Sequence, residues 1–279
     1  MKKFILNIII FILPIVIFAY SKSLYLLYSD KYKSTVAGSE VYHSIIKSKQ
    51  KGKANKLLIG DSFGYSLFSN TINNDTINSL ACNRAISMVG HFILLNNYLN
   101  AGNKVDTVYL IFTPFSFMNN LDEVYTYHYF LKPFYIKEYY PLFTLTVKNQ
   151  VHKIPCYYIS REPNILTSNW APNFKSKDVK DYTFLSPVSV EYLAKIKELS
   201  LINKFKLIIL PTPTRFSNKI FIEKINRNEI VKTGLENEFK NYLEKIIYIN
   251  DINFSDNVHL KNQNMYTEYA DYYMNKLMK

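Results

Sequence analysis

From residue 56 onward, short apolar runs alternate with stretches of helical spacing, and that alternation admits few architectures. Lys56-Leu57-Leu58-Ile59-Gly60 is a brief apolar run closed by a turn residue, the pattern of a buried parallel strand. Further strands are predicted at Ile77 to Cys82, Val105 to Phe112, Lys206 to Leu210 and Ile246 to Ile249. Between and after them, helices are predicted at Val89 to Ala101, Val190 to Leu201, Glu229 to Leu243 and Gln263 to Met278. Parallel strands need crossover connections, and helices supply them while covering both faces of the sheet. The expectation is one α/β domain, whose ligands bind at the carboxyl ends of the strands.

The 279 residues leave room for one such domain and a short leader. The leader begins with Lys2 and Lys3, followed by an apolar run from Phe4 to Tyr20 interrupted only by Asn7 and Pro14. At about 1.5 Å per residue that run is about 25 Å long, close to the minimum that crosses a bilayer core. Residues 1–21 are read as a membrane anchor. A signal peptide cleaved near Ala19-Tyr20-Ser21 is the competing reading, disfavoured by the length of the run and by Tyr20 at its interfacial end. Either way the positive-inside rule keeps the lysines in the cytoplasm and sends the rest across the membrane, to the periplasm or the cell surface.

Residues 22–54 are polar and Lys-rich, read as a basic juxtamembrane stalk or a first helix. Ten lysines lie within residues 1–56 against Asp30 and Glu40, so most of the net charge of +12 sits beside the anchor. Anionic headgroups or a charged polymer suit that placement. Nucleic acid does not, since no zinc spacing, RNA-binding signature or basic recognition helix accompanies the charge.

Residues 55–279 form the expected domain. Within it, residues 117–189 lose clear periodicity and are rich in Tyr, Phe, Lys and Pro, with the single Trp170. This stretch is read as an insertion over the carboxyl edge of the sheet. Its aromatics either pack together or offer a platform for sugar rings. Cys82 and Cys156 are too few for a disulfide scaffold, although the two are able to bridge in an oxidising compartment. No metal-binding spacing occurs and no cofactor is implied. His43, His91, His128 and His152 have no partner suited to catalysis, and His91 falls on a helix as a structural residue.

Two short motifs carry chemistry. Gly60-Asp61-Ser62 ends the first predicted strand, where a small residue lets the chain turn and present a serine at the strand's carboxyl end. A helix beginning there would aim its free N–H groups at the serine oxygen, although Asp and Ser are also ordinary helix caps. Asp256-x-x-His259 precedes the last helix. A serine hydroxyl needs a base, imidazole serves near neutral pH, and an aspartate three residues earlier is able to orient the ring. His259 as a plain surface-loop residue is the alternative.

Gly60-Asp61-Ser62 resembles the first block of the SGNH (GDSL-like) hydrolases, and Asp256-Asn257-Val258-His259-Leu260 resembles their last. The resemblance implies a three-layer αβα sandwich with a mostly parallel five-stranded sheet, flavodoxin-like, after one N-terminal transmembrane helix. It implies Ser62 as nucleophile, His259 as general base and Asp256 as its orienting acid. The anchor and Val108-Tyr109-Leu110-Ile111-Phe112-Thr113-Pro114 look most similar to the membrane-anchored branch that handles O-acetyl groups on exported polysaccharides, near relatives of teichoic-acid D-alanylation proteins.

The middle blocks depart from the family pattern. Asn83-Arg84-Ala85-Ile86-Ser87-Met88 keeps the Asn and Ser of the second block but neither Gly, and Thr113-Pro114-Phe115-Ser116 stands where the third supplies an Asn. The expected oxyanion donors are the Ser62 N–H, a backbone N–H at Ser87 or Met88, and the side chain of Ser116 or Asn119. The function implied is an esterase or acyltransferase working through an acyl-Ser62 intermediate on acetyl or other acyl esters of a glycan, with a membrane-bound acyl-transfer protein as a natural partner. Water and a sugar hydroxyl resolve the same intermediate, so hydrolase and transferase both stay open. A non-catalytic glycan-binding or assembly factor that retains the fold is the alternative the departures suggest.

Overall fold

The computed structural model describes residues 1–29, 36–71, 76–176 and 180–277. Parts of three expected segments lie outside the described residues: 30–35 of the stalk, 177–179 of the insertion, and Met278 of the last helix. The first helix (α1, Lys2–Tyr28) carries the apolar stretch Lys2–Ser21, which is long and apolar enough to cross a membrane and is nowhere buried. Within residues 22–54, two helical segments are described. Helix α1 continues to Tyr28, and Ser39–Ser48 (α2) packs on the domain, with Val41 and Ser44 fully buried.

Four parallel strands make the main sheet, in the order β2–β1–β3–β4: Ile77–Ser79 (β2), Lys56–Gly60 (β1), Thr107–Phe112 (β3) and Lys206–Pro211 (β4). Side chains alternate between two buried surfaces, as the period of an extended chain requires. Leu57, Ile59, Val108, Leu110 and Ile209 join one core cluster, and Leu58, Tyr109, Ile111 and Leu210 the other. Helices Ser87–Asn100 (α4), Pro187–Asn203 (α5) and Glu236–Glu244 (α6) supply the first cluster, through residues such as Ile93, Tyr192 and Phe239. The second takes Tyr65 from Ser62–Leu67 (α3), Tyr269 from Gln263–Tyr272 (α7), and Tyr273 just beyond it. Both faces of the sheet are therefore covered.

Four details differ from expectation. The fifth strand does not join the main sheet: Tyr248–Ile249 (β6) pairs in parallel with Thr214–Arg215 (β5) in a separate two-stranded sheet. Pro211, the last residue of β4, and Pro213, just before β5, have no N–H to give, and the ladder breaks there. The helix expected over Glu229 to Leu243 is two, Arg227–Val231 and α6, because Gly234 takes a left-handed φ of 67° between them. Helix α5 starts earlier than its apolar spacing suggests, because Ser186 caps it and Pro187 occupies its first turn. The last α-helix ends at Tyr272, and a π turn, Tyr273–Leu277, follows it.

The aromatic insertion is mostly core. Phe117, Tyr127, Phe130, Phe134, Tyr139 and Phe143 are buried in the first cluster, and Trp170 stands edge-on to Tyr127 at 5.7 Å. His91 is also buried, edge-on to Phe112, and burial pushes its imidazole down to about 3. Cys82 and Cys156 are both free thiols.

Gly60 is the tightest point of the β1–α3 junction. A Cβ there would lie 2.8 Å from the Ile111 carbonyl oxygen and 3.2 Å from Gly64 Cα, both backbone atoms that yield only if the sheet moves. Gly60→Ala is expected to lower stability by about 1–3 kcal/mol, the usual scale of overpacking, read as a lower urea midpoint with an unchanged slope.

Candidate active site

The turn after β1 is organised by one carboxylate. Asp61 is 1% exposed and accepts four hydrogen bonds. Its Oδ1 takes the N–H groups of Phe63 and Gly64 at 3.0 and 3.2 Å, capping α3. Its Oδ2 takes the Thr113 N–H at 2.7 Å and the Ser116 hydroxyl at 2.5 Å, at the carboxyl end of β3. Asp61 thus ties the start of α3 to the end of the neighbouring strand, and Ser62, the first residue of α3, is held on the rim of the sheet.

The other half of the site is a short closed loop. Phe254 and Leu260 form an antiparallel bridge, and the Ser255 N–H donates to the His259 carbonyl at 2.8 Å. Inside the loop, Asp256 Oδ1 accepts the N–H groups of Val258 and His259, each at 2.8 Å. Oδ2 of the same carboxylate lies 2.8 Å from His259 Nδ1. Burial alone would raise the Asp256 carboxyl, but the backbone N–H groups of His259 and Val258 and the imidazole together hold it below its ordinary value of 3.8. The depressed carboxyl is ionised near neutral pH, and its hold on the loop is lost only as acid carries the solution through that lowered value. An ionised Asp256 accepts, so Nδ1 carries the proton and Nε2 the lone pair. That Nε2 lies 2.9 Å from Ser62 Oγ. The three residues singled out in the sequence, Ser62, His259 and Asp256, meet in hydrogen-bonding order.

Arg215 steadies the loop from outside. One end of its guanidinium donates to Asn257 Oδ1 at 3.1 Å and the other to Asp251 Oδ2 at 3.1 Å. Hydrogen bonds from the Ser217 hydroxyl and N–H, then the Arg215 charge, pull the Asp251 carboxyl down. The two-stranded sheet aligns β5 and β6, and so places both ends of this clamp.

A cavity of about 640 Å³ opens over Ser62 and His259, lined also by Asn83, Arg84, Phe115, Met118 and Glu123. Tyr125 and Lys180 complete the rim from the insertion. Arg84 Nε stands 3.4 Å from Glu123, whose carboxyl is raised chiefly by burial, against the pull of Arg84. Lys180 pairs with Asp122 at 3.2 Å. Phe115 and Met118 follow β3 directly, so the rule that ligands bind at strand ends could have found them. Glu123, Tyr125 and Lys180 come from a stretch with no periodicity and gave no signal. Among the described residues, no group of three His, Cys, Asp or Glu side chains is placed to hold a metal ion.

Of the five expected oxyanion donors, only Ser62 reaches the cavity. Ser87 gives its N–H to the Arg84 carbonyl and its hydroxyl to the Asn119 carbonyl, at φ 57°. Met88 is buried in the core. Ser116 is bound to Asp61. Asn119 is used at both ends of its amide, donating to the Arg84 carbonyl at 2.9 Å and accepting from the Leu121 N–H at 2.8 Å. These polar groups build the wall behind the site. The sequence matches no protein-family model and no curated protein.

Replacing Asp61 by Ala removes a helix cap and leaves buried donors at Phe63, Gly64 and Thr113 unpaired. A loss of roughly 3 kcal/mol or more is expected in urea denaturation. A variant as stable as the parent would show that the junction holds without the carboxylate.

Proposed function

We propose that the protein is a serine enzyme of acyl esters, of the SGNH type, tethered by α1 with its domain on the extracytoplasmic side. The observation that carries this reading is the 2.9 Å contact between His259 Nε2 and Ser62 Oγ, made across 197 residues of chain, with Asp256 fixing the other ring nitrogen. Accidental polar contacts do not order a nucleophile, a base and an orienting acid in one line on a cavity wall. The parallel sheet covered on both faces, with the site at its carboxyl edge, supports the family reading.

In this mechanism His259 Nε2 takes the Ser62 proton as Oγ bonds to the ester carbonyl carbon. Collapse of the adduct expels the alcohol, which takes the proton back, and leaves acyl-Ser62. Water or a sugar hydroxyl then repeats the sequence with His259 as base. The cavity is wide enough for a glycan residue, and α1 keeps the domain near other membrane proteins. A cell-surface or exported glycan with acetyl esters is the substrate this favours, and a membrane-bound acyl-transfer protein the partner.

One observation favours a second reading. The polar residues at 87, 116 and 119 are all consumed within the wall, which suits a glycan-binding factor that keeps the fold without the reaction. Labelling with a fluorophosphonate separates the two. Wild type is expected to gain one adduct, located by mass spectrometry on Ser62. Ser62→Ala is expected to gain none, and Asp256→Asn to label about 10⁴-fold more slowly. A folded wild type that does not label removes the enzyme reading.

A further inference from the structure

An ester attacked by Ser62 develops negative charge on its carbonyl oxygen, and a competent site places donors where that charge appears. The Ser62 N–H is one. It opens α3, the next two N–H groups are taken by Asp61, and its own has no partner among the described residues. A second donor is expected from a neighbouring strand end, and none of Ser87, Met88, Ser116 and Asn119 lines the cavity.

Asn83 remains. Strand β2 pairs with β1 at Leu58↔Ser79, and the ladder runs on past β2, with Leu80 donating to Leu58 and Cys82 to Gly60 at 3.0 Å. That register sets Asn83 beside Ser62 at the two strand ends, and both line the same cavity. The Asn83 Oδ1 accepts the Ala85 N–H at 2.9 Å, which fixes the plane of the amide and turns its oxygen back to the chain. Its Nδ2, with two hydrogens, has no partner among the described residues.

We propose that Asn83 is a catalytic residue, the second oxyanion donor, acting through Nδ2 together with the Ser62 N–H. This rests on the serine-enzyme reading above. As Oγ bonds to the carbonyl carbon and its proton passes to His259, the carbonyl electron pair moves onto oxygen and the two donors hold it. When the alcohol leaves, the pair returns and the donors relax to an ordinary carbonyl. The N–H expected from a glycine in the second block is thus replaced by a side chain that begins that block.

Asn83→Asp is the informative variant. An aspartate oxygen still accepts the Ala85 N–H, so the local turn is kept, while the amide's unpartnered Nδ2 donor is replaced by an acceptor. On the full-length protein with p-nitrophenyl acetate, kcat is expected to fall about 10²–10³-fold, with KM within a few-fold of wild type and the thermal midpoint unchanged. Asn83→Ser is the companion, able to cap but too short to donate, and is expected to show the same loss. The rate of fluorophosphonate labelling should fall in parallel, because the phosphoryl oxygen occupies the same hole. Folded Asn83→Asp and Asn83→Ser proteins that both keep kcat within about threefold of wild type would overturn the assignment. So would an Arg84→Gln variant that alone loses turnover, which would move the donor to Arg84. A wild type that neither turns over ester nor labels would instead remove the serine-enzyme reading itself.

Discussion

The carboxylate of Asp61 is the constraint on which the site depends. A sheet edge is a poor place to fix a side chain, because strands end there and the chain must turn. Asp61 solves this with charge-assisted hydrogen bonds in two directions, along its own chain to α3 and across to the end of β3. Such bonds are stronger than neutral ones, and burial at 1% exposure protects them from water. The position of Ser62 follows from this arrangement rather than from its own side chain. Gly60 answers the same demand by having no Cβ where β3 comes closest.

The polar wall between the second and third strand ends follows a related logic. Asn119 binds the Arg84 carbonyl and the Leu121 N–H, while its own carbonyl accepts the hydroxyls of Ser87 and Ser186. Buried polar groups are costly unless paired, and here each pairs with the backbone of a neighbouring loop. The wall therefore gives rigidity to the cavity while contributing few donors to its interior.

Much of this was legible in the chain. The strands at β1, β3 and β4 and the helices flanking them announce themselves by apolar runs and by punctuation at Gly60, Gly102, Pro114 and Pro211. Ser62, Asp256 and His259, whose side chains meet, stand out in the chain because each sits where local geometry already limits it, at a strand end or in a tight loop. The pairing of the fifth strand with Thr214–Arg215 was not legible, because two residues carry no periodicity and the break at Pro213 looks like any turn. Nor were the roles of Ser116 and Asn119, since a polar residue near a site in sequence gives no sign of which neighbour its hydrogen bonds will satisfy. The insertion illustrates the same limit. Its aromatic composition fits both a core and a sugar platform, and only packing assigns Phe117, Tyr127 and Phe130 to the core.

The loop from Phe254 to Leu260 has a consequence of its own. Asp256 and His259 lie within four consecutive residues and lock to each other through the backbone, so their mutual alignment is set locally. Just one long-range contact joins that local unit to the serine at the far end of the domain. A perturbation that lifts the C-terminal segment by an ångström or two would part His259 from Ser62 while leaving the sheet, its helices and even the Asp256–His259 couple intact.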